Sequence, residues 1–135
     1  MSAVAGLYKQ FQDCEVEVLA ISTDGVLSHK VFREISPHAM QVTFPLLSDR
    51  TGEVSKAYGV YSQKGTAYRA TFLIDPDGII RHYAIYPDEI GREIAEVLRL
   101  VKGLQLFDQT QLLEPAGWQP GMKGMQANIQ DAGHI

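Results

Sequence analysis

The sequence predicts an α/β fold. Three features point to it: apolar residues at helical spacing alternate with short β-branched runs, a Pro-Asp-Gly turn joins two strand-like segments, and a long amphipathic stripe follows them. At 135 residues and 45% apolar composition, the chain is sized for one folded core.

Ala3, Leu7 and Phe11 recur at helical spacing and Tyr8 widens the stripe, which predicts an amphipathic helix over residues 2–13. Residues 16–21 (VEVLAI) form a short β-branched run and predict a buried strand. Ser22, Thr23, Asp24 and Gly25 then read as a loop. Val31, Phe32 and Ile35 give the next helix a core face, with Asp24 or Ser28 as its cap and Pro37 as its end.

Residues 42–47 (VTFPLL) predict a short strand, which Pro45 confines to an edge or bulge. Residues 51–58 predict a short helix with Thr51 as cap and Gly59 as the stop. A hairpin follows, residues 70–74 and 79–85, joined by Asp75, Pro76, Asp77 and Gly78. Over 89–104, Ile90, Ile94, Val97, Leu98 and Val101 line one helical face, and Arg99 and Lys102 sit near its negative end. Two prolines and several glycines then predict an extended tail.

The order opens on a helix that leads into a strand. A parallel strand reached through a crossover helix has another strand before that helix, so the topology points to a partner strand ahead of Met1.

Net charge is −4 with dispersed basic residues, which argues against nucleic acid or an anionic membrane as partner. No apolar run approaches the ~20 residues of a membrane-spanning helix. Met1, Ser2, Ala3 and Val4 do not resemble a signal peptide. A single cysteine excludes an intrachain disulfide framework and a multi-cysteine zinc site, and a reducing cytoplasm is the expected location. His29, His38, His82 and His134 show no ligand spacing, so solvated or capping roles are expected. No metal or cofactor is expected.

The residues resemble the peroxiredoxins of the alkyl hydroperoxide reductase and thiol-specific antioxidant type. VEVLAISTDGVLSHKVF, FPLLSDRTGEVSKAYGV, AYRATFLIDPDGIIRHYAIYP, GREIAEVLRLVKGLQ and EPAGWQPG match that family's segments in order. The resemblance implies a thioredoxin-like α/β fold lacking its first strand, with residues 1–105 as a partial domain and 106–135 as an extended C-terminal arm. Loss of a central strand, worth ~1.5–3 kcal/mol per buried apolar side chain, should unfold an isolated monomer unless something replaces it.

The family's Pro-x-x-x-Thr-x-x-Cys motif is absent from this sequence, and Glu114 stands where the resolving cysteine would precede Pro-Ala-Gly-Trp. The chain is therefore expected to begin just after the peroxidatic residue, a cysteine or selenocysteine, and to be inactive alone. Cys14 falls at the wrong end of its helix and is flanked by Asp13 and Glu15, which disfavours a nucleophilic thiolate there.

By resemblance, Arg69 is the strand arginine that holds the thiolate and the peroxide oxygens, and Arg92 is a supporting arginine. A fixed guanidinium suits that role because its charge is permanent and its donors are many. The alternatives are an Arg69 extended into solvent and an Arg92 paired with Glu96. Trp118 is expected to anchor the arm. The resemblance further implies a peroxide substrate, a thioredoxin-like thiol reductant, and a homodimer or higher oligomer. The other expectation is a non-catalytic paralogue serving as an interaction subunit.

Overall fold

The computed structural model describes residues 1–128, so His134 lies outside the described residues. Internal contacts divide the chain into two units, Met1–Arg92 and Glu93–Ile135.

In the first unit, α1 (Ser2–Asp13), β1 (Ala20–Ser22), α2 (Val26–Ile35), β2 (Leu46–Ser48), α3 (Glu53–Ala57), β3 (Arg69–Ile74) and β4 (Ile80–Tyr86) follow in order. Strands β1 and β2 pair in parallel with Ala20 opposite Leu46, and α2 makes the crossover that parallel pairing requires. Strands β3 and β4 pair antiparallel with Arg69 opposite Tyr86, and the register shifts by a bulge between Leu73 and Ile74. These are two separate two-stranded sheets.

The predicted stripe of α1 exists, and Phe11 is its buried residue. Phe44 is only 1% exposed, and Tyr8 meets its ring edge-on at 5.4 Å, which ties α1 to the approach to β2. The hairpin turn also forms as the sequence predicts. Gly78 takes φ 81, and the Asp75 carboxylate accepts the N–H groups of Asp77 and Ile79. Gly59 takes φ 69 at the end of α3, the left-handed conformation expected of it.

Five expectations need correction. The second helix forms, but its core face is uncovered: Val31, Phe32 and Ile35 are 50%, 40% and 72% exposed, and no residue of α2 is buried. Its stripe is amphipathic, yet no described element packs over it. Its cap is Gly25, without a side-chain hydrogen bond, rather than Asp24 or Ser28. Strand β1 is three residues long and is not buried, since Leu19 and Ile21 are exposed. The backbone reverses first at Glu15, which takes φ 56. In the 42–47 segment the strand starts only at Leu46, because Val42 and Phe44 are used as buried loop anchors. Thr51 does not cap α3. Gly52 holds the cap position at φ 70, and the buried Asp49 carboxylate accepts from the N–H groups of Val54 and Ser55 and from the Ser55 hydroxyl.

The second unit holds α4 (Ile94–Thr110), shifted toward the C-terminus from the expected 89–104. Pro87 to Ile90 instead forms a turn, closed by the Ile90 N–H on the Pro87 carbonyl, and Ile90 is exposed. Glu93 supplies the cap by accepting the Ala95 N–H at 3.1 Å. Ile94, Val97, Leu98 and Val101 are buried as one stripe, as the spacing predicts.

Beyond α4, Leu113 and Met125 exchange backbone hydrogen bonds of 2.7 and 2.8 Å. Trp118 is buried, its indole N–H donates to the Met122 carbonyl at 3.0 Å, and Arg99 donates to its own carbonyl. Among the described residues no helix is long and apolar enough to cross a membrane.

Candidate functional site

Arg69 is the first residue of β3 and half-buried. Its Nη1 donates to the Ile90 carbonyl at 3.4 Å, while the Nη1 of Arg92 donates to the Ala70 carbonyl at 3.2 Å. The two bonds cross: the strand's arginine holds the loop, and the loop's arginine holds the strand. Arg92 therefore does not make the alternative pair with Glu96, whose carboxylate holds Arg99 at 2.7 and 2.8 Å.

Their charges are felt at the start of α1. The Met1 α-ammonium at the start of α1 is pushed below its ordinary pKa of 8.0 by burial first, then by the positive charges of Arg92 and Arg69. Arg92 is itself lowered, chiefly by desolvation of its guanidinium and then by the like charge of Arg69, with Tyr86 acting in the opposite sense. Among the described residues, neither arginine forms a salt bridge.

The charges of Arg69 and Arg92 thus act on the N-terminal end of a helix whose first-turn N–H groups lack intrahelical partners and whose first turn carries no acidic residue. Every term of that field favours an anion. A carboxylate, a thiolate or the negative oxygen of a breaking O–O bond would be stabilised there.

Cys14 stands at the other end of α1 as its C-cap, and its N–H bonds back to Gln10 and Phe11. A twelve-residue helix separates it from Met1 by about 18 Å. The arginines do not reach it.

A second polar group was not anticipated from the sequence. His29 is half-buried rather than solvated, with Nε2 2.7 Å from the Ser22 hydroxyl and a buried Nδ1 that has no hydrogen-bond partner among the described residues. Ser22 Oγ also lies 2.9 Å from Asp24 Oδ2 and accepts the Asp24 N–H. Counting protons assigns the roles. The hydroxyl has one hydrogen, which Asp24 takes, so His29 Nε2–H must donate to Ser22. A serine arranged this way is not activated by the imidazole, and the group instead fastens the β1–α2 loop. Ser48 Oγ reinforces the loop by donating to the Asp24 carbonyl at 2.6 Å. The signal for this cluster was available in the Ser22, Asp24 and His29 spacing, but only folding shows that α2 turns the imidazole back over β1. Among the described residues no group of three or more His, Cys, Asp or Glu side chains could hold a metal ion.

Residues 1–83 match the AhpC/TSA family. The chain is 42% identical to a selenocysteine-containing peroxiredoxin of Peptoclostridium acidaminophilum, over 100% of this chain and 70% of that protein. It is 40% identical to peroxiredoxin 2 of Thermoplasma acidophilum, over 88% of this chain and 61% of that one. Among solved structures, the reduced 2-Cys peroxiredoxin of Plasmodium vivax superposes with a TM-score of 0.82 at 31% identity, covering 91% of this chain and 65% of that chain. A peroxiredoxin 6 variant of Arenicola marina gives a TM-score of 0.84 at 29% identity, covering 97% and 66%. The chain therefore spans between 61% and 70% of the lengths of these four proteins.

Proposed function

The chain belongs to the AhpC/TSA family of peroxiredoxins, thioredoxin-like α/β proteins that reduce peroxides, and on that premise we propose that it supplies the electrostatic half of a peroxide-reducing site. The observation that carries this reading is that Arg69 and Arg92 are cross-tied at the start of β3 and that both charges act on the N-terminal end of α1. Arg69 is the catalytic arginine, and Arg92 is a positioning residue that holds the start of β3.

The nucleophile is a thiolate or selenolate delivered at the N-terminal end of α1. It attacks the nearer oxygen of a hydroperoxide. One S–O or Se–O bond forms, the O–O bond breaks, and the departing oxygen takes a proton to leave as water or an alcohol. The nucleophile is oxidised to a sulfenic or selenenic acid, and a thioredoxin-like thiol reductant returns it to its starting state. Arg69 is most useful as the O–O bond breaks, when negative charge grows on the departing oxygen.

A selenol is favoured by the selenocysteine named in the Peptoclostridium relative, which matches the whole of this chain. The chain by itself is inactive in this reading, because its one cysteine sits at the far end of α1. A cytoplasmic location and a homodimer or higher oligomer complete the proposal. The uncovered apolar stripe of α2 favours a second reading, a non-catalytic subunit that acts through assembly.

One measurement tests both readings, and a second separates them. Peroxide consumption by the purified chain with a thiol reductant is expected to be absent, and turnover by Cys14 would overturn the first reading. The intact mass of the protein from its native source decides between them. A value of 15.0 kDa supports the assembly subunit, and a substantially larger one supports the peroxidase.

A further inference from the structure

The 113–125 segment of the second unit is a closed loop built from two turns, and a sulfur atom fastens one of them. Its ends meet where Leu113 and Met125 exchange backbone hydrogen bonds. Gly124 sits tightly at this base, since a β-carbon there would come within 2.7 Å of the Leu112 β-carbon. In the first turn, the Trp118 N–H bonds to the Pro115 carbonyl at 3.0 Å. In the second, the Met122 N–H bonds to the Gln119 carbonyl at 2.9 Å. Gly117 and Gly121 take φ 78 and φ 96, as the third position of a type II turn demands, and Pro120 suits the second position.

The second turn is closed in both directions. While the Met122 N–H donates to Gln119, the Gln119 N–H donates to the Met122 thioether sulfur at 3.2 Å. The Met122 carbonyl also takes the Trp118 indole N–H. Trp118 is 3% exposed, and Arg99 of α4 donates to its carbonyl. Met122 therefore holds the ring that anchors the loop to α4, yet it is itself 54% exposed. Met40 is similarly open at 61%, but among the described residues no hydrogen bond holds its sulfur.

A thioether sulfur has two lone pairs, and here one of them faces the Gln119 N–H. An oxidant therefore reaches the other. We propose that Met122 is a site of reversible oxidation by hydrogen peroxide, with oxygen added to one face of the sulfur, and that this modification loosens Trp118 from its seat. The free lone pair attacks one peroxide oxygen. An S–O bond forms and the O–O bond breaks, and the departing oxygen takes a proton and leaves as water. Sulfur loses two electrons and peroxide gains them.

The product is a polar, chiral sulfoxide whose sulfur is electron-poor and no longer accepts the Gln119 N–H. Its new oxygen lies on the opposite side and cannot replace that bond. The turn then keeps only its backbone closure, and the carbonyl that receives the Trp118 indole is held less firmly. Because the two sulfoxide epimers are repaired by different reductases, a fixed sulfur makes the repair selective as well. The proposal needs only peroxide and stands apart from whether the chain catalyses peroxide reduction.

The test treats the full chain with hydrogen peroxide and separates the sulfoxide epimers of its tryptic peptides. Cleavage at Lys123 and at Arg50 places Met122 and Met40 in different peptides. Met122 is expected to give one epimer in roughly fourfold excess or more, and Met40 a near-equal mixture. Acrylamide quenching of Trp118, the one tryptophan of the chain, is expected to rise about twofold on oxidation. The reductase specific for the major epimer should restore the shielding, and the other should not. Met122→Leu, which offers no acceptor, should start at the oxidised level of quenching and not respond to peroxide. An even epimer mixture at Met122 would overturn the proposal. So would unchanged quenching after complete oxidation, or a peroxide response that persists in Met122→Leu.

Discussion

A thiol placed at the start of α1 should titrate well below an ordinary cysteine. The perturbation is Ser2→Cys in a Cys14→Ser background, which leaves one thiol at the first residue of the helix. Three contributions act in the same direction. The helix terminus contributes about 0.3–1 kcal/mol. Arg92 and Arg69 both act on the neighbouring Met1 α-ammonium, so their charges reach this position. An opposite charge lowers a thiol pKa, by about 1–3 units where it lies within about 4–6 Å, and the partial exposure of both side chains argues for no more than the lower end. Together they predict a thiol about 1–2 units below the usual ~8.5, or roughly 1.4–2.7 kcal/mol of thiolate stabilisation. The assay is the pH dependence of the iodoacetamide alkylation rate, read by mass spectrometry. Adding Arg69→Ala should return at least half of the shift. A value at or above 8.5, or one indifferent to Arg69, would refute the proposed field and the catalytic role of that arginine with it.

Phe44→Ala should destabilise the first unit by about 3–5 kcal/mol, since a buried ring and its edge contact with Tyr8 are both lost. Urea unfolding followed by circular dichroism checks this, and a loss below about 1 kcal/mol would show that Phe44 is not a core anchor. Asp49 is held below its ordinary 3.8, first by the Ser55 backbone N–H against an opposing desolvation cost, then by the Ser55 hydroxyl and the Val54 N–H. A carboxylate lowered in the folded state stabilises fully above the unfolded pKa and loses that contribution as pH falls through the folded one. Acid titration of stability should therefore lose part of its slope below about pH 4 in Asp49→Asn. An unchanged slope would rule out this cap as the titrating group. At Gly103, an added methyl group would overlap the Glu114 carboxylate. Gly103→Ala should expose the 111–128 segment to trypsin at Lys123, and Glu114→Ala in the same chain should restore most of the protection. Failure of that rescue would separate the two residues energetically.

Elements whose signal is local were legible in the sequence. The stripe of α1, the Asp75 to Gly78 turn and the buried face of α4 each depend on spacing within a few residues, and each formed. Elements that need distant partners were misjudged. Apolar periodicity at Val31, Phe32 and Ile35 identifies a helix face, but burial needs a covering element, and none among the described residues supplies one. The cap of α3 comes from Asp49, two residues before the expected Thr51, because a carboxylate can serve two N–H groups at once. Helix α4 starts at Ile94, where the Glu93 carboxylate accepts the Ala95 N–H, and Pro87 to Ile90 closes as a turn instead. For the site, the sequence offered Arg69 and Arg92 only through family resemblance. Their reciprocal bonds to backbone carbonyls 21 and 22 residues away depend on the hairpin's register and could not be read from the residues alone. The histidine cluster was missed for the same reason: its geometry is a property of the β1–α2 junction.

The crossed bonds of Arg69 and Arg92 have a thermodynamic consequence. They hold two like charges together in the folded state, and unfolding lets those charges separate. Folding and anion occupancy are therefore linked: any negatively charged group that settles between the arginines relieves the repulsion and raises the melting temperature by mass action. Mobile ions do the same more weakly, so at low ionic strength this corner of the molecule should tighten as salt is added, opposite to the usual loss of surface ion pairs. In this respect the site resembles a loaded spring, held by main-chain carbonyls and released by the arrival of negative charge.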